Sequence, residues 1–372
     1  MTITSYSPLF EPVNLAGLSL RNRIVMSPMS RYRSPGGVAD AAVVEYYRRR
    51  AAAGVGLIVS EATYIDHPGA PVYQNVPHFF GTEALAGWGR VLDAVHGEGS
   101  KMVPQLWHVG NTRKLGAPPD PALPGYGPSQ IDQDGQTLVV EMSRQDIQDV
   151  AASYARSAAH ARQLGFDGVA IHGGHGYLLD QFLWLGDNHR HDDYGQTIEN
   201  RTRFAVEVVR AMRAAVGEGF PILFRFSQWK ATDYDARVAD TPQELGILLG
   251  RLSDAGVDIF DVSTRRFWQP AFDGDARSLA AWTRQLSGRP VIAVGSIGLD
   301  APHQSKFFRT ADNVASNVTD LRMVEEALAR GDFDLAAVGR AILADHQWVE
   351  KASRGAFDEI LPFTRSAMDN YY

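Results

Sequence analysis

Short runs of β-branched and apolar residues recur along the chain, separated by longer segments whose apolar positions return at helical spacing. Eight such runs stand out, at 24–27, 57–61, 102–106, 168–172, 222–226, 259–263, 291–294 and 335–338. Each is four or five residues long and nearly continuous in apolar character, as expected of a strand covered on both faces. Between them, periodic segments at 39–53, 83–97, 144–164, 198–216, 242–255 and 320–329 predict helices. Strand and helix in alternation imply βαβ units on a parallel sheet. Eight strands in one chain predict an α/β fold closed into a (β/α)8 TIM barrel.

Two segments break the repeat. Residues 111–142 are rich in Pro and Gly and follow the third predicted strand, where a barrel places loops over its functional face, so they are expected to form a cap. Residues 299–318 separate the seventh and eighth predicted strands and mix polar residues with Phe307 and Phe308. This insertion is too long for a simple connection, and a lid, an oligomer contact or a mobile excursion would each account for it. No tandem repeat or low-complexity linker divides the chain, so 1–372 is expected to be a single domain.

Composition narrows the function classes. The 372 residues are 45% hydrophobic, enough for one large core, and carry 36 Lys and Arg against 43 Asp and Glu. A net charge of -7 without a long single-sign block argues against a nucleic-acid partner or an anionic membrane surface. No cysteine is present, which removes disulfides, thiolate nucleophiles, Cys-held Fe–S clusters and CxxC zinc sites. No run approaches the roughly 18 apolar residues of a membrane span. The first fifteen residues lack a basic stretch leading into an apolar one, so the cytoplasm is the expected compartment.

In a barrel the C-terminal ends of the strands face one cavity, and polar residues there invite a functional reading. Gly295 and Ser296 after the seventh strand, with Gly339 and Arg340 after the eighth, offer backbone N–H groups and a guanidinium to a phosphate. Arg225 lies inside a predicted strand, where a charge needs either an anionic ligand or a buried ion pair. His172 and His175 have a spacing that permits metal ligation, but no third ligand stands nearby, and the glycines around them suggest a loop approached by a ligand. No metal is expected.

The stretches PLFEPVNLAGLSLRNRIVMSPMSR, VPQLWHVG, LGFDGVAIHGGHGYLLDQFL, NHRHDDYGQTIENRTRF and VGRAILAD run nearly end to end. In them the chain resembles the Old Yellow Enzyme family. The resemblance implies a tightly bound, non-covalent FMN whose phosphate meets Gly295, Ser296, Gly339 and Arg340. Gln105 would serve the pyrimidine edge of the flavin and Arg225 would face its N1, where reduction leaves negative charge. Pro28, Met29 and Ala62 would wall the ring, and Ser30 would place a hydroxyl near N5 and O4. His172 and His175 would donate to the substrate oxygen, and Tyr177 would protonate the α-carbon. Tyr32 and Trp107 would shape the substrate side, with Phe267 and Trp268 roofing the pocket. NADH or NADPH would reduce the flavin, and hydride would then pass to the β-carbon of an activated alkene, an α,β-unsaturated carbonyl or nitro compound. No GxGxxG fingerprint appears, which suits a nicotinamide that visits the flavin pocket.

One departure is visible. Family members have Gly-Gly-Ser where this chain has Gly195-Gln196-Thr197, a change expected to alter a helix start. Two other classes stay open at this point. A flavin-free, phosphate-binding barrel lyase or isomerase would need a lysine or carboxylate on a strand end, and Lys101, Lys114, Lys230, Lys306 and Lys351 do not meet that need. A non-catalytic flavin-binding protein would leave Tyr177 and the histidine pair without a purpose. Oligomeric state is not fixed by the sequence, and a homo-oligomer is compatible with it.

Overall fold

The computed structural model describes residues 7–301 and 315–371. A hairpin of β1 (Val13–Leu15) and β2 (Leu18–Leu20) leads into the first barrel strand. The barrel consists of β3 (Ile24–Met26), β4 (Leu57–Tyr64), β5 (Lys101–Trp107), β9 (Val169–His172), β10 (Ile222–Phe226), β11 (Ile259–Ser263), β12 (Val291–Val294) and β13 (Leu335–Val338). They pair in parallel in chain order, and β13 closes on β3. The eight predicted runs are therefore the eight barrel strands, with β4 extending to Tyr64.

Alternation along the strands divides the core in two. Val25, Leu57, Val59, Val103, Ala170, Leu223, Ile259, Ile292 and Leu335 form one cluster inside the barrel, joined by Leu18 and Leu20 of the hairpin. The intervening residues, among them Ile24, Ile58, Met102, Ile171, Phe224, Phe260 and Val291, pack outward against the helices in the larger cluster. One step further up the inward face, the apolar set ends. Two residues beyond Val103, Ala170, Leu223 and Ile259 come Gln105, His172, Arg225 and Asp261.

The helices are α1 (Ala41–Ala52), α2 (Thr82–Gly97), α3 (Arg144–Leu164), α4 (Leu178–Leu183), α5 (Ile198–Val216), α6 (Pro242–Ala255), α7 (Leu279–Ser287), α8 (Arg322–Ala329) and α9 (Arg340–Ala344), with further short turns. Three of them keep their predicted bounds because both ends are written in the sequence. Ser143 and Asp146 make a capping box at α3 and Gly165 ends it in the left-handed region. Thr197 and Thr241 cap α5 and α6, which stop at Gly217 and Gly256. Thr197, which belongs to the departure from Gly-Gly-Ser, is the residue that caps α5, with Gln196 at φ 68° before it.

Residues 111–142 carry a three-stranded sheet of β6 (Gly125–Gly127), β7 (Ile131–Gln133) and β8 (Gln136–Glu141). The fully buried Arg113 organises this segment, donating to the carbonyls of Pro71, Ala117, Pro118, Asp120 and Leu123. Arg190 of the NHRHDDYG stretch ties it to the barrel through the carbonyls of Pro128 and Met142. Most of the predicted insertion, 302–314 with Phe307 and Phe308, lies outside the described residues. Its two ends meet where Leu299 pairs with Val318. Among the described residues no helix is long and apolar enough to cross a membrane.

Candidate active site

A cavity of about 910 Å³ opens at the C-terminal ends of the strands. Register brings its polar wall together: Arg225 stands beside His172 on β9 and Asp261 on β11, while Gln105 stands beside Ala62 and Ala170. The β4–β5 register shifts between Val59 and Ala62, a bulge at the point where β4 passes from core to cavity.

The His172–Tyr177 turn is shaped by its surroundings. A Cβ on Gly173 would sit 2.5 Å from the Phe224 ring, so no larger residue fits. His175 takes φ 65°, and its N–H donates to Ser227 Oγ at 3.0 Å. Gly176 N–H donates to Asp180 Oδ2 at 2.6 Å, and Gln181 Nε2 donates to the Gly176 carbonyl at 2.7 Å. Asp180 in turn forms a fully buried ion pair with Lys230 at 2.9 Å. Burial pushes the Asp180 carboxyl up to about 6, against the pull of Lys230. The LLDQ of the sequence therefore holds the turn that presents the histidines. The two imidazoles lie 5.2 Å apart between centroids and nearly perpendicular, with the Tyr177 ring 5.0 Å from His172.

Electrostatics separates these groups. Burial, with the Arg225 charge adding to it, holds His172 down at about 3, so the ring is neutral at physiological pH. Burial raises the Tyr177 phenol well above its ordinary value, and the phenols of Tyr73 and Tyr32 add to the effect. Arg225 pairs with Asp261 at 2.8 Å, both almost fully buried. The ion-pair alternative for Arg225 is thus realised, and the same guanidinium also lines the cavity. Arg31, Arg33, Arg265 and Arg340 line it as well, and among the described residues Asp369 is the one acid of the lining. In a chain of net charge -7 this wall favours an anionic occupant.

At the other end, Gly295 (φ 148°) and Ser296 (φ 53°) bend the backbone after β12. A Cβ on Gly295 would meet Thr264 Oγ1 at 2.5 Å, so the chain can make this approach only with glycine. Gly339 precedes α9, and Arg340 donates to Ser316 Oγ at 3.1 Å and to the Ala301 carbonyl at 2.6 Å. Burial lowers the Arg340 guanidinium to about 10, still charged at neutral pH. The donor set fits FMN. Gln105 Nε2 and His172 Nδ1 are buried with no hydrogen-bond partner among the described residues, and Arg225 and Arg340 both line the cavity.

Pro28, Met29, Ser30, Tyr32, Ala62, Gln105, Trp107, His172, His175, Tyr177, Arg225, Gly295, Ser296, Gly339 and Arg340 all line this one cavity. Phe267 and Trp268 do not. Phe267 is buried in the core, 6.1 Å from Phe333, and Trp268 is exposed beside it, because the loop after β11 turns Thr264 and Arg265 to the cavity instead. Among the neighbours that escaped the sequence reading are Arg31, Tyr73, Trp229, Arg265, Asp261 and Ser263. Asp261 and Ser263 had a signal, since Ile259-Asp261-Ser263 is one inward face turning polar in an apolar strand. Among the described residues no group of three His, Asp or Glu could hold a metal ion.

The sequence profile described as "NADH:flavin oxidoreductase / NADH oxidase family" matches residues 8–310. The chain is 30% identical over 369 residues to "NADH oxidase" of Thermoanaerobacter brockii, covering 96% of itself and 52% of that protein, so it spans about half of that relative's length. It is 31% identical over 364 residues to "12-oxophytodienoate reductase 7" of Oryza sativa subsp. japonica, covering 93% of this chain and 87% of the relative. The structure of morphinone reductase in complex with tetrahydroNAD superposes with a TM-score of 0.77 at 28% identity, over 94% of this chain and 91% of that one. With the barrel and its polar mouth, these matches establish that the chain belongs to the NADH:flavin oxidoreductase / NADH oxidase family, that of the Old Yellow Enzymes.

Proposed function

We propose that this protein is an FMN-dependent ene-reductase that takes its electrons from NADH or NADPH. The observation that carries the reading is the convergence of three chemistries on one cavity: a guanidinium and an amide on its inner wall, a glycine-arginine rim at one end, and two imidazoles with a phenol. The relatives named as reductases and the morphinone reductase complex with tetrahydroNAD agree with it. Gln105 and Arg225 would hold the ring edge, and Gly295, Ser296, Gly339 and Arg340 the phosphate. Bound FMN supplies the hydride that reaches the β-carbon of the activated alkene.

The chain's own residues do the rest. Arg225 offers fixed N–H donors toward developing negative charge, while its partner Asp261 tempers the net charge there. His172, kept neutral by burial and Arg225, donates a hydrogen bond to the substrate oxygen without losing a proton to it. With His175 it polarises the carbonyl or nitro group and stabilises the oxyanion that forms. Tyr177 stays protonated because burial disfavours the phenolate, and it can still protonate a strongly basic α-carbon. Against the lyase alternative, Lys230 is buried against Asp180 and is not among the residues lining the cavity.

Anaerobic spectroscopy tests the proposal. The purified protein should be yellow, should bleach on addition of NADPH and should recover its colour when cyclohexenone follows. A colourless protein that takes up no FMN would remove the flavin reading, and a yellow one that neither bleaches nor recovers would favour storage over catalysis.

A further inference from the structure

A phenol that gives its proton to carbon must be reloaded before the next turnover. Tyr177 lines the cavity and is only partly accessible, so an alkene in the cavity covers it further. Tyr73 lines the same cavity and is 37% exposed. The phenols of Tyr73 and Tyr177 hydrogen-bond to each other. One indole holds both rings: Tyr73 stacks on Trp107 at 5.8 Å between centroids and 13° between planes, and Tyr177 meets the same indole edge-on at 4.8 Å. Tyr64 fixes the backbone there, its phenol oxygen accepting from Val72 N–H at 3.3 Å and from Tyr73 N–H at 3.0 Å. Of the two other phenols nearby, that of Tyr64 is buried away from water and that of Tyr32 hydrogen-bonds to Ser30.

We propose that Tyr73 relays protons from solvent to Tyr177, reloading the phenol that protonates the α-carbon. This rests on the reading of Tyr177 as the acid. As the Tyr177 O–H bond breaks and the new C–H bond forms, Tyr177 Oη is left as a phenolate. Tyr73 then passes its phenolic proton along the hydrogen bond to Tyr177 Oη. Water at the exposed edge of Tyr73 returns a proton to its oxygen, leaving hydroxide to the solvent. Each of these steps moves one proton and changes no oxidation state, so the proton on carbon is drawn from water. The direction follows from burial. Desolvation pushes the Tyr177 phenol well above its ordinary value and that of Tyr73 less far, and the hydrogen bond between them stabilises the Tyr73 phenolate over that of Tyr177. The proton therefore runs from the better exposed oxygen to the more basic one. Tyr73 acts through Tyr177 and needs no contact with the alkene.

The test uses FMN-loaded protein, reduced anaerobically with NADPH and mixed with cyclohexenone for a single turnover, followed at the flavin band and at the near-ultraviolet band of tyrosinate. Tyr73→Phe keeps the ring on Trp107 and removes only the hydroxyl. It should re-oxidise the flavin at the wild-type rate, because Tyr177 enters that turnover loaded. The tyrosinate left on Tyr177 should then decay about 10²-fold more slowly than in wild type, the lower end of what a positioned proton donor contributes. Added ammonium, a small acid, should speed that decay in the variant, a rescue that lost packing would not show. Tyrosinate that decays at the wild-type rate in Tyr73→Phe would overturn the relay, as would a variant slow in flavin re-oxidation that leaves no tyrosinate behind. Tyr177→Phe should slow flavin re-oxidation itself, and an unchanged rate there would instead overturn the underlying reading of Tyr177 as the acid.

Discussion

The lower and upper halves of the barrel interior are built by the same strands with the same two-residue step, yet they hold opposite kinds of residue. Below, Val103, Ala170, Leu223 and Ile259 fill the space with apolar side chains, and Leu18 and Leu20 join them. Above, Gln105, His172, Arg225 and Asp261 bring amide, imidazole, guanidinium and carboxylate into a space almost as closed. The lower half stabilises by removing apolar surface from water. In the upper half each charge is desolvated, so each must find a partner or a ligand. Stability is therefore concentrated in one layer and chemistry in the other, a division that mutation can test.

The largest effect should come from the upper layer. His172→Ala/His175→Ala should lower alkene turnover by at least about 10³-fold, since one preorganised donor to an oxyanion is worth about 10²–10³. Steady-state rates beside a retained flavin spectrum check this, and turnover within tenfold of wild type would contradict the assignment. Lys230→Met, at the edge of the same layer, should cost about 3–5 kcal/mol because it leaves the buried Asp180 carboxylate unpaired. Denaturant unfolding measures it, and a loss under about 1 kcal/mol would mean that the pair is dispensable.

Leu223→Ala probes the lower layer, with an expected loss of about 2–5 kcal/mol in unfolding free energy. Phenol affinity should stay within about twofold of wild type, so that stability and binding separate between two positions on one strand. The smallest effect is the pH dependence contributed by His172. Its folded value lies near 3 and its unfolded value near 6.5, so the unfolded chain takes up the proton first. The stability from burying the neutral ring is fully present above pH 6.5 and is lost as pH falls toward 3, on the order of 2 kcal/mol by pH 5. His172→Asn should flatten that part of the curve of melting temperature against pH, and an unaltered slope would show that the ring titrates normally.

The same contrast explains what could be read from the sequence. The apolar layer and its outward neighbours write a continuous pattern, so all eight barrel strands were legible, and the long helices α3, α5 and α6, each with a capping residue at one end and glycine at the other, were legible to the residue. Helix α7 was not predicted. It is only nine residues long and follows the irregular loop from Thr264 to Ser278, and its cap, Ser278, closes no long periodic segment. At the mouth, residues within the quoted motifs line one cavity, because the strand ends fix them. Partnerships across the sequence left no local trace. Nothing near Lys230 announces Asp180, fifty positions earlier, and the placement of Phe267 and Trp268 rested on loop position alone, which does not decide the side a loop turns to the cavity.

A crystal structure of the flavin-loaded protein with phenol bound would test the account most directly. It should show the pyrimidine edge of the ring against Gln105 and Arg225, and the phenol oxygen within hydrogen-bond distance of both His172 and His175. A ring bound elsewhere in the cavity, or a phenol oxygen touching neither imidazole, would contradict it.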